Sequence, residues 1–63
     1  MTALENMIKG NWKNIRGKLK AKYGELTDDD LAYTEGQEDQ LIGRLQKRLG
    51  QTQEELKRTI DSL

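Results

Sequence analysis

All six glycines of this 63-residue chain fall into two ladders with a spacing of seven residues. The first ladder comprises Gly10, Gly17 and Gly24, and the second comprises Gly36, Gly43 and Gly50. Neighbouring side chains repeat at the same offset of 26 residues, so that Ile15-x-Gly17-x-Leu19 matches Leu41-x-Gly43-x-Leu45. The chain has no proline and no alternating apolar run. This repeat therefore predicts two similar helical units.

Threonines mark the expected starts of the helices. Four of the five threonines stand three residues before an acid or an amide, namely Thr2, Thr27, Thr34 and Thr52. In such a capping box the threonine oxygen accepts from a backbone N–H of the first turn, and the acid or amide reaches back to the threonine's own N–H. Gly24 and Gly50 are expected to end helices in the left-handed conformation. We predict helices over about 3–23, 28–33, 35–49 and 53–62.

Apolar side chains recur at helical spacing and define the expected core. The stripe on the first helix consists of Leu4, Ile8, Trp12, Ile15, Leu19, Tyr23 and Leu26. The third helix carries Leu41, Ile42, Leu45 and Leu49, and the short helices carry Leu31, Leu56, Ile60 and Leu63. Burying these stripes together predicts an all-α fold, a small bundle of two packed helical hairpins with four helices, in a single domain over 1–63.

The residue composition argues against catalysis. The chain contains neither cysteine nor histidine, so it lacks a thiol nucleophile, an imidazole base and the preferred ligands of zinc. The run from Asp28 to Asp30 lacks the glycine and the closing glutamate of a calcium loop, and the first turn of a helix is the expected place for such acids. We expect a protein that is not an enzyme and that uses no metal and no cofactor.

The same composition bears on the cellular location. No stretch approaches the roughly 20 apolar residues that cross a bilayer, and the first residues lack the features of a signal peptide. Charged residues make up 35% of the chain and the mean hydropathy is −0.96. We expect a cytoplasmic protein, without membrane contact, that is monomeric and only marginally stable.

Charge is divided unevenly along the chain, although the formal net charge is zero. Residues 1–24 carry a net charge of +5 and residues 25–63 carry −5. Four bases spaced to lie on one face of the first helix form a basic stripe, the candidate partner-binding residues Lys9, Lys13, Arg16 and Lys20. The acids that could pair with the stripe internally are Asp28, Asp29, Asp30, Glu35, Glu38 and Asp39. An external partner would be an acidic protein surface or the phosphates of nucleic acid.

Four glycines, Gly10, Gly17, Gly36 and Gly43, are expected to lie away from the apolar stripes. Each glycine inside a helix costs about 1 kcal/mol relative to alanine. Two interpretations remain open at this point. The glycines either weaken, bend or shorten the helices, or they leave a bare face that another backbone or surface can approach closely.

Several segments together resemble the CsbD-like family of small bacterial general-stress proteins. They are Gly10-Asn11-Trp12-Lys13, Gly17-Lys18, Gly24-x-Leu26-Thr27-Asp28-Asp29-Asp30-Leu31, Glu35-Gly36 and Asp39-Gln40-Leu41-x-Gly43-x-Leu45-Gln46. The resemblance runs over about residues 6–56. It implies a cytoplasmic bacterial protein with a small helical fold and no established molecular activity, and it supplies no catalytic residues.

Three functional hypotheses follow. The leading one is a non-enzymatic stress-response protein, a marginally stable helical module that engages or protects other macromolecules such as a protein client. The second is a nucleic-acid-associated helical protein that places the basic stripe on phosphates, although a pI near 6.2 disfavours this hypothesis. The third is a structural homo-oligomer whose apolar stripes meet across a twofold axis.

Overall fold

The computed structural model describes residues 3–63, and they form three helices around one core. Helix α1 spans Ala3–Lys22, α2 spans Glu38–Leu49 and α3 spans Gln53–Asp61. Each helix contacts the other two, and the body measures 28 × 21 × 19 Å. The all-α prediction is confirmed, but the prediction of four helices in two hairpins is wrong, because the segment over 28–33 forms only a turn.

The apolar stripes predicted from the sequence make up the core. Its buried members are Leu4, Ile8, Trp12, Ile15, Leu19, Leu26, Leu31, Leu41, Ile42, Leu45, Leu56 and Ile60. Tyr23, Leu49 and Leu63, which were also expected inside, are partly buried and pack against this cluster. The fold therefore buries the apolar stripes of all three helices together with two leucines from the connection between α1 and α2.

Helix α1 consists of two helical segments that meet at Asn11, where the backbone leaves the helical region with φ −150° and ψ 29°. The residue 26 positions later, Gln37, has a similar conformation, with φ −116° and ψ 39°, and immediately precedes α2. The second segment of α1 thus corresponds to α2. The duplication seen in the sequence is present in the backbone, and the kink in α1 marks the start of its first copy.

The predicted helix boundaries hold at some caps and fail at others. Thr52 and Glu55 form a complete capping box at α3, and Gly50 ends α2 with φ +65°. Thr34 does not cap a helix, because α2 begins three residues later than predicted, after Gln37, which makes no side-chain cap. Gly24 was predicted to be left-handed, yet the glycines with positive φ among the described residues are Gly36 and Gly50. The cap predicted at Thr2 lies outside the described residues.

The connection between α1 and α2 contains an acidic strap, defined here as residues 25–34. Thr27 and Asp30 form the reciprocal cap that the sequence predicts, with N···O distances of 3.0 and 3.1 Å. One turn follows, in which the N–H of Leu31 donates to the carbonyl of Thr27 at 3.2 Å. The turn ends at Leu31, and an arginine from α2 donates to the carbonyls of Asp29 and Ala32.

The glycines lie outside the core, as predicted. A Cβ atom built on any of the six meets no atom within 4 Å among the described residues. Gly17 and Gly43 occupy equivalent exposed positions in α1 and α2. Nothing in the packing therefore requires a glycine at either position.

Candidate partner-binding surface on the first helix

The four residues of the basic stripe are all exposed on α1. Their spacing of four, three and four residues follows the helical repeat, and the buried apolar stripe of α1 lies beside them. The structure brings two of the four, Arg16 and Lys20, to the acidic strap. The stripe is thus partly engaged within the molecule.

Asp28 of the strap is the internal partner of these two bases. Its Oδ1 lies 2.7 Å from Lys20 Nζ and 3.6 Å from a guanidinium nitrogen of Arg16. The hydrogen bond and charge of Lys20, with a smaller contribution from Arg16, lower the pKa of the Asp28 carboxyl. All three side chains are about half exposed or more, so salt screens these pairs. The positive and negative parts of the chain therefore meet at this point.

The other two bases of the stripe behave differently. Lys9 lies near enough to the carboxylate of Glu38 for its charge to help lower the pKa of that group. Lys13 forms no ion pair within residues 3–63. Lys13 is thus the base of the stripe that is most available to an outside partner.

The remaining acids that were candidates for internal pairing divide into two groups. Asp30 pairs with Arg48 of α2 at 3.0 Å rather than with the basic stripe. Asp29, Glu35 and Asp39 form no ion pair in the part of the chain that the structure describes. Internal pairing therefore neutralises the stripe only around Asp28 and Glu38.

Two arginines of α2 that sequence reasoning missed hold the strap from its other side. Arg44 donates through one nitrogen to the carbonyl oxygens of Asp29 and Ala32, at 2.8 and 3.3 Å. Arg48 donates from Nε to Asp30 and from a terminal nitrogen to the carbonyl of Glu25, at 3.0 and 3.1 Å. Their spacing of four residues places both on one face of α2, but it does not indicate that this face meets the strap.

A cluster of two aromatic rings and one carboxylate holds the end of the strap against α1 and α2. Tyr33 Oη donates to Glu38 Oε2 at 2.7 Å, and the backbone N–H of Gly36 donates to the same oxygen at 2.7 Å. The ring of Tyr33 lies edge-on to Trp12, with centroids 6.1 Å apart. The hydrogen bond to Glu38 raises the pKa of Tyr33 to about 12, and the same bond is the main cause that lowers the pKa of Glu38.

A groove of about 350 Å³ runs between α1 and the strap. The side chains that line it include Trp12, Lys13, Arg16, Asp28, Leu31 and Tyr33. It combines apolar rings with two bases and one acid. Such a surface fits an amphipathic chain segment with negative charge better than a neutral one.

The carboxylates with shifted pKa values are committed to structural contacts. The backbone N–H of Thr27 is the main cause of the lowered pKa of Asp30, and the backbone N–H of Thr52 has the same effect on Glu55. A general acid at neutral pH needs a raised pKa instead. These groups therefore stabilise caps and ion pairs in their charged form.

A comparison with protein families decides the relationship of this chain to known proteins. The model of the family described as CsbD-like matches residues 6–58. The chain belongs to the CsbD-like family. The family match covers the second segment of α1, the strap, α2 and most of α3, so the contacts between the basic stripe, the strap and α2 all lie in the CsbD-like region.

Relatives of this CsbD-like chain come from bacteria. The UPF0337 protein YjbJ of Escherichia coli O6:H1 is 45% identical over 53 residues, which cover 84% of this chain and 77% of the relative. A UPF0337 protein of Pectobacterium atrosepticum is 50% identical over 50 residues, covering 79% and 72%. A UPF0337 protein of Bordetella pertussis is 46% identical over 55 residues, covering 87% and 83%. None of these names states an enzymatic activity.

No solved structure matches the CsbD-like chain. Within residues 3–63, no helix combines the length and the hydropathy that crossing a membrane requires.

Proposed function

We propose that this CsbD-like protein is a non-catalytic stress-response protein that acts in the cytoplasm by binding partly unfolded protein clients. It binds them as a small helical module of low stability, whose apolar core opens transiently. The client gains an apolar contact and a charged, hydrated neighbour, and both oppose aggregation.

The observation that carries this proposal is the environment of the exposed glycines. Gly17 and Gly43 lie inside helices, and a Cβ at either position would meet open space. Alanine at each would stabilise the helix by about 1 kcal/mol. A domain of this size has a stability of only a few kcal/mol, so the two glycines keep it near the threshold of opening. The packing gains nothing in return.

The surface chemistry supports binding rather than catalysis. Lys13, which forms no ion pair within residues 3–63, lies beside a groove that also contains the Trp12 ring. The shifted carboxylates are held in their charged form by caps and bases. Charge on this protein therefore positions the strap and keeps the surface hydrated.

A heat-aggregation assay tests the proposal. A client enzyme is heated with increasing amounts of the purified protein, and aggregation is followed by light scattering. We expect suppression beyond that given by an equal mass of an unrelated small helical protein. The matched variant Gly17→Ala/Gly43→Ala should suppress aggregation less at the same temperature, because it opens less often. Suppression no better than that of the unrelated protein would overturn the proposed function.

A further inference from the structure

Both apolar and charged contacts attach the acidic strap to the rest of the molecule. Two of its side chains, Leu26 and Leu31, are 2% and 1% exposed and belong to the core. Its remaining side-chain attachments include ion pairs at the surface, through Asp28 to α1 and through Asp30 to α2. The strap therefore combines two apolar anchors with an exposed ion pair at Asp28, a less exposed one at Asp30, and the part-buried bond of Tyr33 to Glu38.

The helices do not depend on these contacts for their own hydrogen bonds. Helix α3 begins with its own capping box at Thr52 and Glu55, and α2 ends at Gly50. Helix α1 ends before the strap begins, where the N–H of Tyr23 donates to the carbonyl of Leu19 at 2.8 Å. Release of the strap thus breaks no bond inside a helix.

We propose that the acidic strap is an ionically latched cover, and that the surface beneath it accepts an acidic, leucine-bearing segment of an unfolded protein in the strap's place. This inference rests on the proposed function, because it names the chemistry of the client. Raised ionic strength screens the latch and opens the cover.

The strap itself defines the chemistry of the segment that replaces it. It presents leucines five residues apart, Leu26 and Leu31, with three consecutive aspartates between them. The receiving surface offers Arg16 and Lys20 on α1 and Arg48 on α2 to those acids. Charge complementarity therefore favours an acidic segment with two aliphatic side chains over a basic or a purely polar one.

Hydrogen exchange in the wild-type chain tests the latch without any client. Raising sodium chloride from about 20 mM to about 500 mM shortens the screening length from about 20 Å to about 4 Å. The amides of Leu31 and Ala32, which bond inside the strap, should then exchange several-fold faster, while the amide of Leu45 in α2 changes less. An equal change at all three amides would mean that the strap opens only with the whole domain, and would overturn the latch.

Substitutions in the latch provide the matched control. Asp28→Asn/Asp30→Asn removes the two strap carboxylates that form ion pairs and leaves the bases in place, so exchange at Leu31 should be fast already at low salt. Asp61→Asn removes the ion pair of Lys57 and Asp61 on α3, at 3.1 Å, and should leave the strap unchanged. A strap that remains as protected in Asp28→Asn/Asp30→Asn as in the wild type would count against the latch.

A peptide with the sequence of residues 25–34 tests the occupant. Fluorescence anisotropy of the labelled peptide should show binding to the Asp28→Asn/Asp30→Asn chain roughly tenfold tighter than to the wild type, whose own strap competes. A peptide with serine in place of Leu26 and Leu31 should bind neither chain. Equal binding of both peptides, or self-association of the variant in sedimentation without peptide binding, would overturn the acidic segment as occupant.

The outcomes separate the latch from the proposed function. Salt-sensitive strap exchange with no client protection at any salt would sink the proposed function and leave the latch. Client protection with a strap that moves only in global unfolding would sink the latch and leave the function.

Discussion

The Oε2 atom of Glu38 accepts two hydrogen bonds of 2.7 Å, one from Tyr33 Oη and one from the backbone N–H of Gly36. Glu38 is the first residue of α2 and is 5% exposed. A carboxylate in this place also interacts favourably with the positive end of the helix dipole. The pair joins the end of the acidic strap to the start of α2.

Tyr33→Phe removes one of the two donors and leaves the ring in place. The loss of a hydrogen bond to a charged, largely covered oxygen should lower the Tm by about 4–8 °C, a shift typical of a single such change in a domain of this size. Thermal unfolding followed by circular dichroism measures the shift. An unchanged Tm would contradict a stabilising role for this bond.

The same bond predicts a loss of stability at alkaline pH. The pKa of Tyr33 rises from its ordinary value of 10.0 to about 12 in the folded chain. A raised pKa stabilises the fold below the unfolded value, so the contribution is complete below pH 10 and is lost as the pH rises to about 12. The difference in unfolding free energy between the wild type and Tyr33→Phe should shrink over this range. Urea unfolding of both proteins at pH 9 and at about pH 12 checks this prediction, because the two chains differ only at residue 33.

Acid should destabilise the fold through the carboxylates. The pKa values of Asp28 and Asp30 lie below the ordinary 3.8, and those of Glu38 and Glu55 lie below 4.5. A lowered pKa stabilises the fold above the unfolded value, so these contributions are complete near neutral pH and are lost as the pH falls through the folded values. We expect the urea midpoint to stay level down to about pH 5 and to fall below about pH 4. A midpoint that rises on acidification would refute this assignment.

Alanine should have opposite effects at two pairs of glycines. Gly17→Ala and Gly43→Ala should each stabilise the chain by about 1 kcal/mol, because both positions are helical and open. Gly36→Ala and Gly50→Ala should each destabilise it by about 1 kcal/mol, because their φ angles are +92° and +65°. Chemical denaturation of the four variants provides the comparison. Stabilisation at Gly50 would argue against the left-handed end of α2.

The two capping boxes should differ in what they support. Thr52→Ala removes the cap of α3 and should cost about 1 kcal/mol, with faster hydrogen exchange along that helix. Thr27→Ala removes an equivalent bond, but that bond supports only the turn of the strap. Its effect on exchange should be confined to the strap amides. Faster exchange in α3 of the Thr27→Ala chain would show that the two caps are not independent.

Most of the fold was predicted from the helical spacing of the apolar residues. The residues from Leu4 to Leu19 on α1 repeat at helical spacing, and the structure buries them. The roles of Thr52 and Gly50 could be predicted because both are local. The threonine side chain bonds the first turn of its own helix, and the glycine takes a left-handed backbone angle at the end of a helix. Such signals need only a few neighbouring residues to be recognised.

The failed predictions all concern the connection between α1 and α2. Thr27 and Asp30 form the expected cap, yet only one turn follows, and Arg44 of α2 donates to the carbonyls of Asp29 and Ala32 there. Gly36 rather than Gly24 takes the left-handed angle, since the chain must turn there for Glu38 to meet Tyr33. These outcomes depend on contacts between separate segments of the chain. Local patterns do not encode them.

The candidate site was only partly predictable for the same reason. The basic stripe was found from spacing alone, and its exposure on α1 is as expected. The engagement of Arg16 and Lys20 by Asp28 was one of two open alternatives, and the structure places these groups together. The binding of an outside partner by Lys9 or Lys13 stays a prediction.

At Asn11 the first helix is kinked, so that two helical segments meet there. The segment before Asn11 borders the start of α3, and the segment after it borders the end of α3 and also carries the bases that contact the strap. Because the backbone of Asn11 leaves the helical conformation, the direction of the first segment is set separately from that of the second. A single helix can therefore line both ends of α3 while its second segment also holds the strap.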